Sequence, residues 1–75
     1  MKNILDKVKE IAAQVFECEV NDETAQINCE KWDSMHHLNL VVELEMEFDT
    51  SFDPEEIAQM TSIKDIEKVL KTKKV

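Results

Sequence analysis

Seventy-five residues with a formal charge of −8 make one small domain, residues 1–75, near the size at which a core supplies only ~3–5 kcal/mol of net stability. That leaves room for a few packed helices but not for a buried active site beside a substrate domain, so the chain is expected to be no enzyme itself. From residue 10 to residue 63 fourteen Asp and Glu face a single lysine, Lys31, a field that repels phosphate backbones and anionic lipid and attracts basic protein patches, so neither nucleic acid nor membrane insertion is expected.

In chain order, Ile4, Leu5, Val8, Ile11, Ala12, Val15 and Phe16 recur on one stripe and predict an amphipathic helix over residues 2–17. Residues 18–33 lose that period and carry Asn21, Asp22, Thr24 and Asn28, all turn formers, which predicts a long loop. A loop of that length inside a compact domain has to be tied down or functional, and Val20, Ile27 and Trp32 are its candidate anchors. Trp32 reads as a packing residue.

A second helix is predicted from about Ser34 to Asp49 with two apolar stripes. Leu40, Val41, Leu44 and Phe48 form one; Met35, Leu38, Val42 and Met46 form the other, flanked by Asn39, Glu43, Glu45 and Asp49. The first stripe is assigned to the core because it holds the aromatic residue. The second is then either an apolar strip with an acidic rim, suited to protein docking, or a second buried face. Asp53 or Ser51 followed by Pro54, Glu55 and Glu56 marks the start of a short helix of about seven residues, with Ile57 and Met60 inward. Thr61 or Ser62 caps the last helix, where Ser62 and Asp65 form a capping-box-like pair. Ile63, Ile66, Val69 and Leu70 give its inner face, and the lysines from Lys64 to Lys74 complement its C-terminus before fraying. The fold class is all-α, a four-helix bundle with three longer helices and one short one.

The run Trp32-Asp33-Ser34-Met35 stands where the irregular stretch meets the second helix. Asp33 is placed to cap it, and Ser34 falls in the first turn, held by a rigid element yet open to a modifying enzyme. On local sequence alone Ser34 reads equally as a second capping residue. Adjacent His36 and His37 point about 100° apart on a helix and do not converge on an ion, so no metal site is expected and both read as surface or rim histidines. A hydrolase built on Ser34 with either histidine lacks an acid partner and an oxyanion loop. The absence of glycine removes phosphate-cradling loops and the calcium loop. Cys18 and Cys29 are too few for a disulfide framework, and the N-terminal segment is amphipathic and acid-bearing rather than a signal peptide, so a reducing, cytoplasmic setting is expected.

With Asp33-Ser34-Met35 at the head of the second helix, an acidic helix behind it, Glu47-Phe48-Asp49 leading to Phe52-Asp53-Pro54-Glu55-Glu56, and Ile63-Lys64-Asp65-Ile66 opening the last helix, the chain resembles an acyl carrier protein over nearly its whole length. The resemblance implies that Ser34 receives a 4′-phosphopantetheine arm from coenzyme A and that the arm's thiol holds acyl intermediates of fatty-acid, polyketide or related lipid synthesis as thioesters. It also implies an acyl cleft at Leu40, Val41, Leu44, Phe48, Ile57 and Met60. Docking on basic patches of a phosphopantetheinyl transferase and of acyl-loading and acyl-processing enzymes would use Asp33, Met35, Val42, Glu43, Glu45 and Asp49, with the carrier acting as a monomer. Trp32 stands where fatty-acid carriers have a small residue, Met35 replaces the motif leucine, and His36 and Asn39 replace acids of the docking face, which points to a specialised member of the family. An aminoacyl or peptidyl carrier, and an acidic helical adaptor that receives no arm, are the alternative readings.

Overall fold

The structure is a computed structural model that describes residues 3–73. Four helices follow in order: α1, Ile4–Phe16; α2, Ser34–Phe48; α3, Pro54–Gln59; and α4, Ile63–Thr72. The helix expected over residues 2–17 starts later, because Asn3 is extended and caps it so that its first helical residue is Ile4, and the fraying expected at Lys74 lies outside the described residues.

Helices α1, α2 and α4 each begin on a residue whose side chain satisfies a free amide of the first turn. The Asn3 side chain accepts from the Asp6 N–H, Asp33 from the His36 N–H, and Ser62 from the Asp65 N–H. At α3, Pro54 occupies the first turn and Glu56 reaches back to accept the Asp53 N–H at 2.9 Å. The second half of the expected box at α4 takes another form: the shorter Asp65 side chain accepts from the Thr61 hydroxyl at 2.9 Å. Both α1 and α2 end on a non-glycine residue in the left-handed region, Glu17 at φ 54 and Asp49 at φ 50, as a glycine-free chain must do if it is to use that cap.

Helix α1 packs against both α2 and α4, and α3 packs on α4. The faces meet in one core of Val8, Ala12 and Phe16 from α1, Leu40, Val41 and Leu44 from α2, Ile63, Ile66, Val69 and Leu70 from α4, and Trp32, Phe52 and Met60 from the connections. Leu44→Ala removes about 2–5 kcal/mol wherever such a core cannot collapse onto the void. Polar ties brace the rim: Lys73 pairs with Glu56 at 2.8 Å and stands over the Phe52 ring at 5.3 Å, while Lys7 pairs with Glu47 at 3.8 Å and stands over Phe48 at 5.9 Å.

The long α1–α2 connection contains a single 3₁₀ turn, Gln26–Asn28. Trp32 anchors it, 4% exposed, with its ring centroid 5.0 Å from that of Phe16, and Val20 is half-buried against the core. Ile27, expected as an anchor, is 96% exposed. The seat is taken by buried Thr24: its hydroxyl accepts the Asn21 N–H at 2.9 Å, and its carbonyl accepts the Ile63 N–H at 3.0 Å while Gln26 donates to the Thr61 carbonyl at 2.9 Å. This short bridge between the connection and the head of α4 satisfies its backbone without an apolar side chain. The Lys9–Asp22 pair at 2.7 Å and the Lys64–Glu23 pair at 3.0 Å hold the same segment from either side.

Candidate functional site

Helix α2 begins with the exposed residue Ser34 directly after its cap. One Asp33 oxygen lies 2.9 Å from the His36 amide nitrogen and 2.8 Å from His36 Nδ1. A carboxylate can only accept, so Nδ1 of His36 carries the hydrogen. The His36 amide, then its ring, hold the Asp33 carboxyl below the usual carboxylate range. The negative charge of Asp33 is thereby turned toward His36 within the first turn, while the Ser34 side chain faces solvent at the positive end of a fifteen-residue helix, the end that favours an attached phosphate. The residues present therefore suit a phosphate-linked group on Ser34.

His37, one turn below Ser34, departs from the expected rim histidine. It is half-buried, its Nδ1 accepts the Trp32 indole N–H at 2.9 Å, and its Nε2 donates to the Ile57 carbonyl at 3.0 Å. Because an indole nitrogen only donates and a carbonyl only accepts, both ring positions are assigned: Nδ1 bare, Nε2 protonated. The two rings stack with centroids 6.2 Å apart. The sequence offered no signal for this beyond the nearness of a tryptophan and a histidine, since Ile57 lies twenty residues away. Beside Ile57 an open groove of about 420 Å³ is lined by Gln26, His37, Pro54, Ile57, Ala58 and Thr61.

The two stripes of α2 face as the sequence indicated. Leu40, Val41 and Leu44 are buried with Met60, and Phe48 and Ile57 pack against them half-buried. On the other side Met35 is 76%, Leu38 58%, Val42 52% and Met46 72% exposed. Val42 and Glu43 also border a groove of about 360 Å³ with Ile11, Gln14, Val15 and Asn39. Asp33, Glu43 and Asp49 are exposed beside the strip. Glu45 differs: it is half-buried, and its Oε2 accepts the Phe52 N–H at 2.9 Å. Its charge braces the α2–α3 connection instead of standing free in the rim.

Cys18 and Cys29 are both free thiols, half-buried at the base of the long connection. Burial, reinforced by the neighbouring Cys29 thiol, pushes the Cys18 thiol up. Among the described residues no cluster of three or more His, Cys, Asp or Glu is placed to hold a metal ion, and no helix is long and apolar enough to cross a membrane.

No family model and no curated protein matches the sequence. Solved structures do. A proposed acyl carrier protein of Mycobacterium tuberculosis superimposes with a TM-score of 0.82 over 93% of this chain and 97% of its own, at 14% identity. The holo acyl carrier protein of Geobacter metallireducens, determined in solution, gives a TM-score of 0.79 at 28% identity over 91% of this chain and 82% of its own. The first likeness carries the fold; the second adds sequence likeness over nearly the same span. The chain is thus an all-α protein of the acyl-carrier fold, similar to acyl carrier proteins across nine-tenths of its length, and proteins of that kind carry cargo for enzymes without being enzymes.

Proposed function

We propose that residues 1–75 form one acyl carrier domain, that Ser34 bears a 4′-phosphopantetheine arm, and that the protein presents acyl intermediates to fatty-acid, polyketide or related lipid-synthesis enzymes. The observation that carries this reading is the exposed Ser34 at the head of α2, in a fold of acyl-carrier type. The arm supplies a terminal thiol that holds the acyl group as a thioester. The chain's own contribution is placement. Asp33 and the first turn of α2 fix the serine, the buried residues Leu40, Val41, Leu44 and Met60 with half-buried Phe48 and Ile57 supply an apolar interior for the acyl chain, and tethering raises the cargo's effective concentration at each partner's active site. Docking falls to the strip Met35 and Val42 with the exposed acids Asp33, Glu43 and Asp49, a surface that complements basic patches on the transferase and on acyl-loading and acyl-processing enzymes. The protein works as a cytoplasmic monomer.

Incubation with coenzyme A, magnesium and a phosphopantetheinyl transferase is expected to add one arm, and peptide mass mapping should place it on Ser34. Modification at another residue, or undiminished modification of Ser34→Ala, would overturn the carrier reading in favour of an unmodified acidic adaptor.

A further inference from the structure

Helix α3 is six residues long and packs on α4. Among the described residues, one hydrogen bond joins it to α2: the His37 Nε2–H to the Ile57 carbonyl. That bond lies one helical turn below Ser34 on the same side of α2, since residues three apart share a face. Leu40, Val41 and Leu44 follow His37 along this face and are buried. A chain passing from Ser34 toward those residues between α2 and α3 meets His37 before it meets the core.

We infer that the Trp32–His37–Ile57 hydrogen-bonded series is a latch across the α2–α3 seam, making His37 the residue that sets how long an acyl group must be before the bundle takes it in. The inference rests on the reading of Ser34 as the arm-bearing residue.

The physical basis is the double engagement of the ring. The imidazole cannot leave the Ile57 carbonyl without also disturbing the acceptor of the indole N–H, so two part-buried polar groups lose partners together, and neither is replaced by a methylene chain. A short acyl group buries too little apolar surface to offset that loss. Each further buried methylene favours entry by roughly fourfold, so insertion sets in over a narrow range of lengths. Short or polar acyl groups ride outside, over the groove lined by Gln26, Pro54 and Ala58, and long apolar ones open the seam. The fixed ring chemistry also identifies the substitution that preserves the latch. Glutamine offers one oxygen to accept from Trp32 and one N–H to donate to Ile57, whereas leucine offers neither.

The test uses the full chain, loaded by a transferase with amide-linked acyl-coenzyme A analogues from butyryl to dodecanoyl, which pass the acyl-phosphopantetheine to Ser34 and release adenosine 3′,5′-bisphosphate, with mass mapping of each product. Backbone amide resonances of Leu44 and Met60 report entry, and the Trp32 indole proton reports the latch. In the wild type, butyryl should leave all three unmoved, and at a greater length the core amides should shift together with the indole proton. His37→Leu should bring entry forward by about two to four carbons, and His37→Gln should restore the wild-type length. Core shifts with an unmoved indole proton, or an onset equal in wild type and His37→Leu, overturn the latch. So do core amides that stay unmoved for every chain in both proteins. If His37→Leu loses its helical circular dichroism, Trp32→Phe replaces it: the ring then keeps Ile57 but loses its second partner, and an unchanged onset overturns the inference. An arm mass on Ser34 with any of these failures sinks the latch alone, whereas no arm on Ser34 sinks the carrier reading and the latch with it.

Discussion

Glu45 Oε2 accepts the backbone N–H of Phe52 at 2.9 Å, tying the last turn of α2 to the segment that carries a buried aromatic ring into the core. An acid in the docking rim and an acid bracing the fold are therefore neighbours on one helix, and they respond differently to charge reversal. Glu45→Lys is expected to lower stability by about 1–2 kcal/mol, the worth of a hydrogen bond to a charged acceptor reduced by partial exposure. Glu43→Lys, on an exposed position, should change stability by less than about 0.5 kcal/mol. It should also slow association with the transferase and flatten its salt dependence. Val42→Asp should leave the fold intact and speed dissociation. Urea titration and stopped-flow binding at two ionic strengths separate the three variants.

Acid should act through Asp33. The His36 amide and ring hold its carboxyl below the usual range, so the folded state binds this proton less readily than the unfolded chain does. The contribution is present above the unfolded-chain value of roughly 4 and fades as pH falls through the lower folded value. Asp33→Asn keeps an N-cap acceptor but removes the titration. Its melting temperature should therefore fall less steeply below about pH 4 than that of the wild type. Parallel slopes for the two proteins would show that the decline comes from other carboxylates.

The cysteines make a separate, chemical prediction. Fresh denatured protein should titrate with two free thiols, matching the unbridged pair. In the native state Cys18, pushed up by burial beside Cys29, should alkylate more slowly at neutral pH than a fully exposed thiol, because the thiolate is the nucleophile. Peptide mapping after a short pulse of iodoacetamide gives the rate, and equal rates for native and unfolded protein would contradict that burial.

What the sequence made legible is what is local. Asp33 and Ser62 were readable as helix starts because a cap and the amide it satisfies lie within one turn, and the inner faces of α1, α2 and α4 followed from a period of apolar residues. The relationships that hold the site together run across larger separations. Trp32 to His37 to Ile57, Glu45 to Phe52, and Thr24 to Ile63 each join elements whose approach is decided by packing, and no residue type announces its partner in advance. Ile27 shows the reverse error: apolarity suggested an anchor, but the connection is held through backbone pairing and the Thr24 hydroxyl, leaving the isoleucine in solvent. Hydrophobicity reports what burial would gain, not which residue the chain can turn inward.

Trp32 is the sole tryptophan, and there is no tyrosine. Nearly all intrinsic fluorescence therefore originates from one ring, packed on Phe16 and bonded to His37. Emission follows the seating of the α1–α2 connection, while far-ultraviolet dichroism follows the helices themselves. Superimposable melts by the two methods would mean that the segment and the bundle come apart as one cooperative unit. An earlier optical change would mean that the connection lifts off first, exposing the neighbourhood of Ser34 while the helices stand.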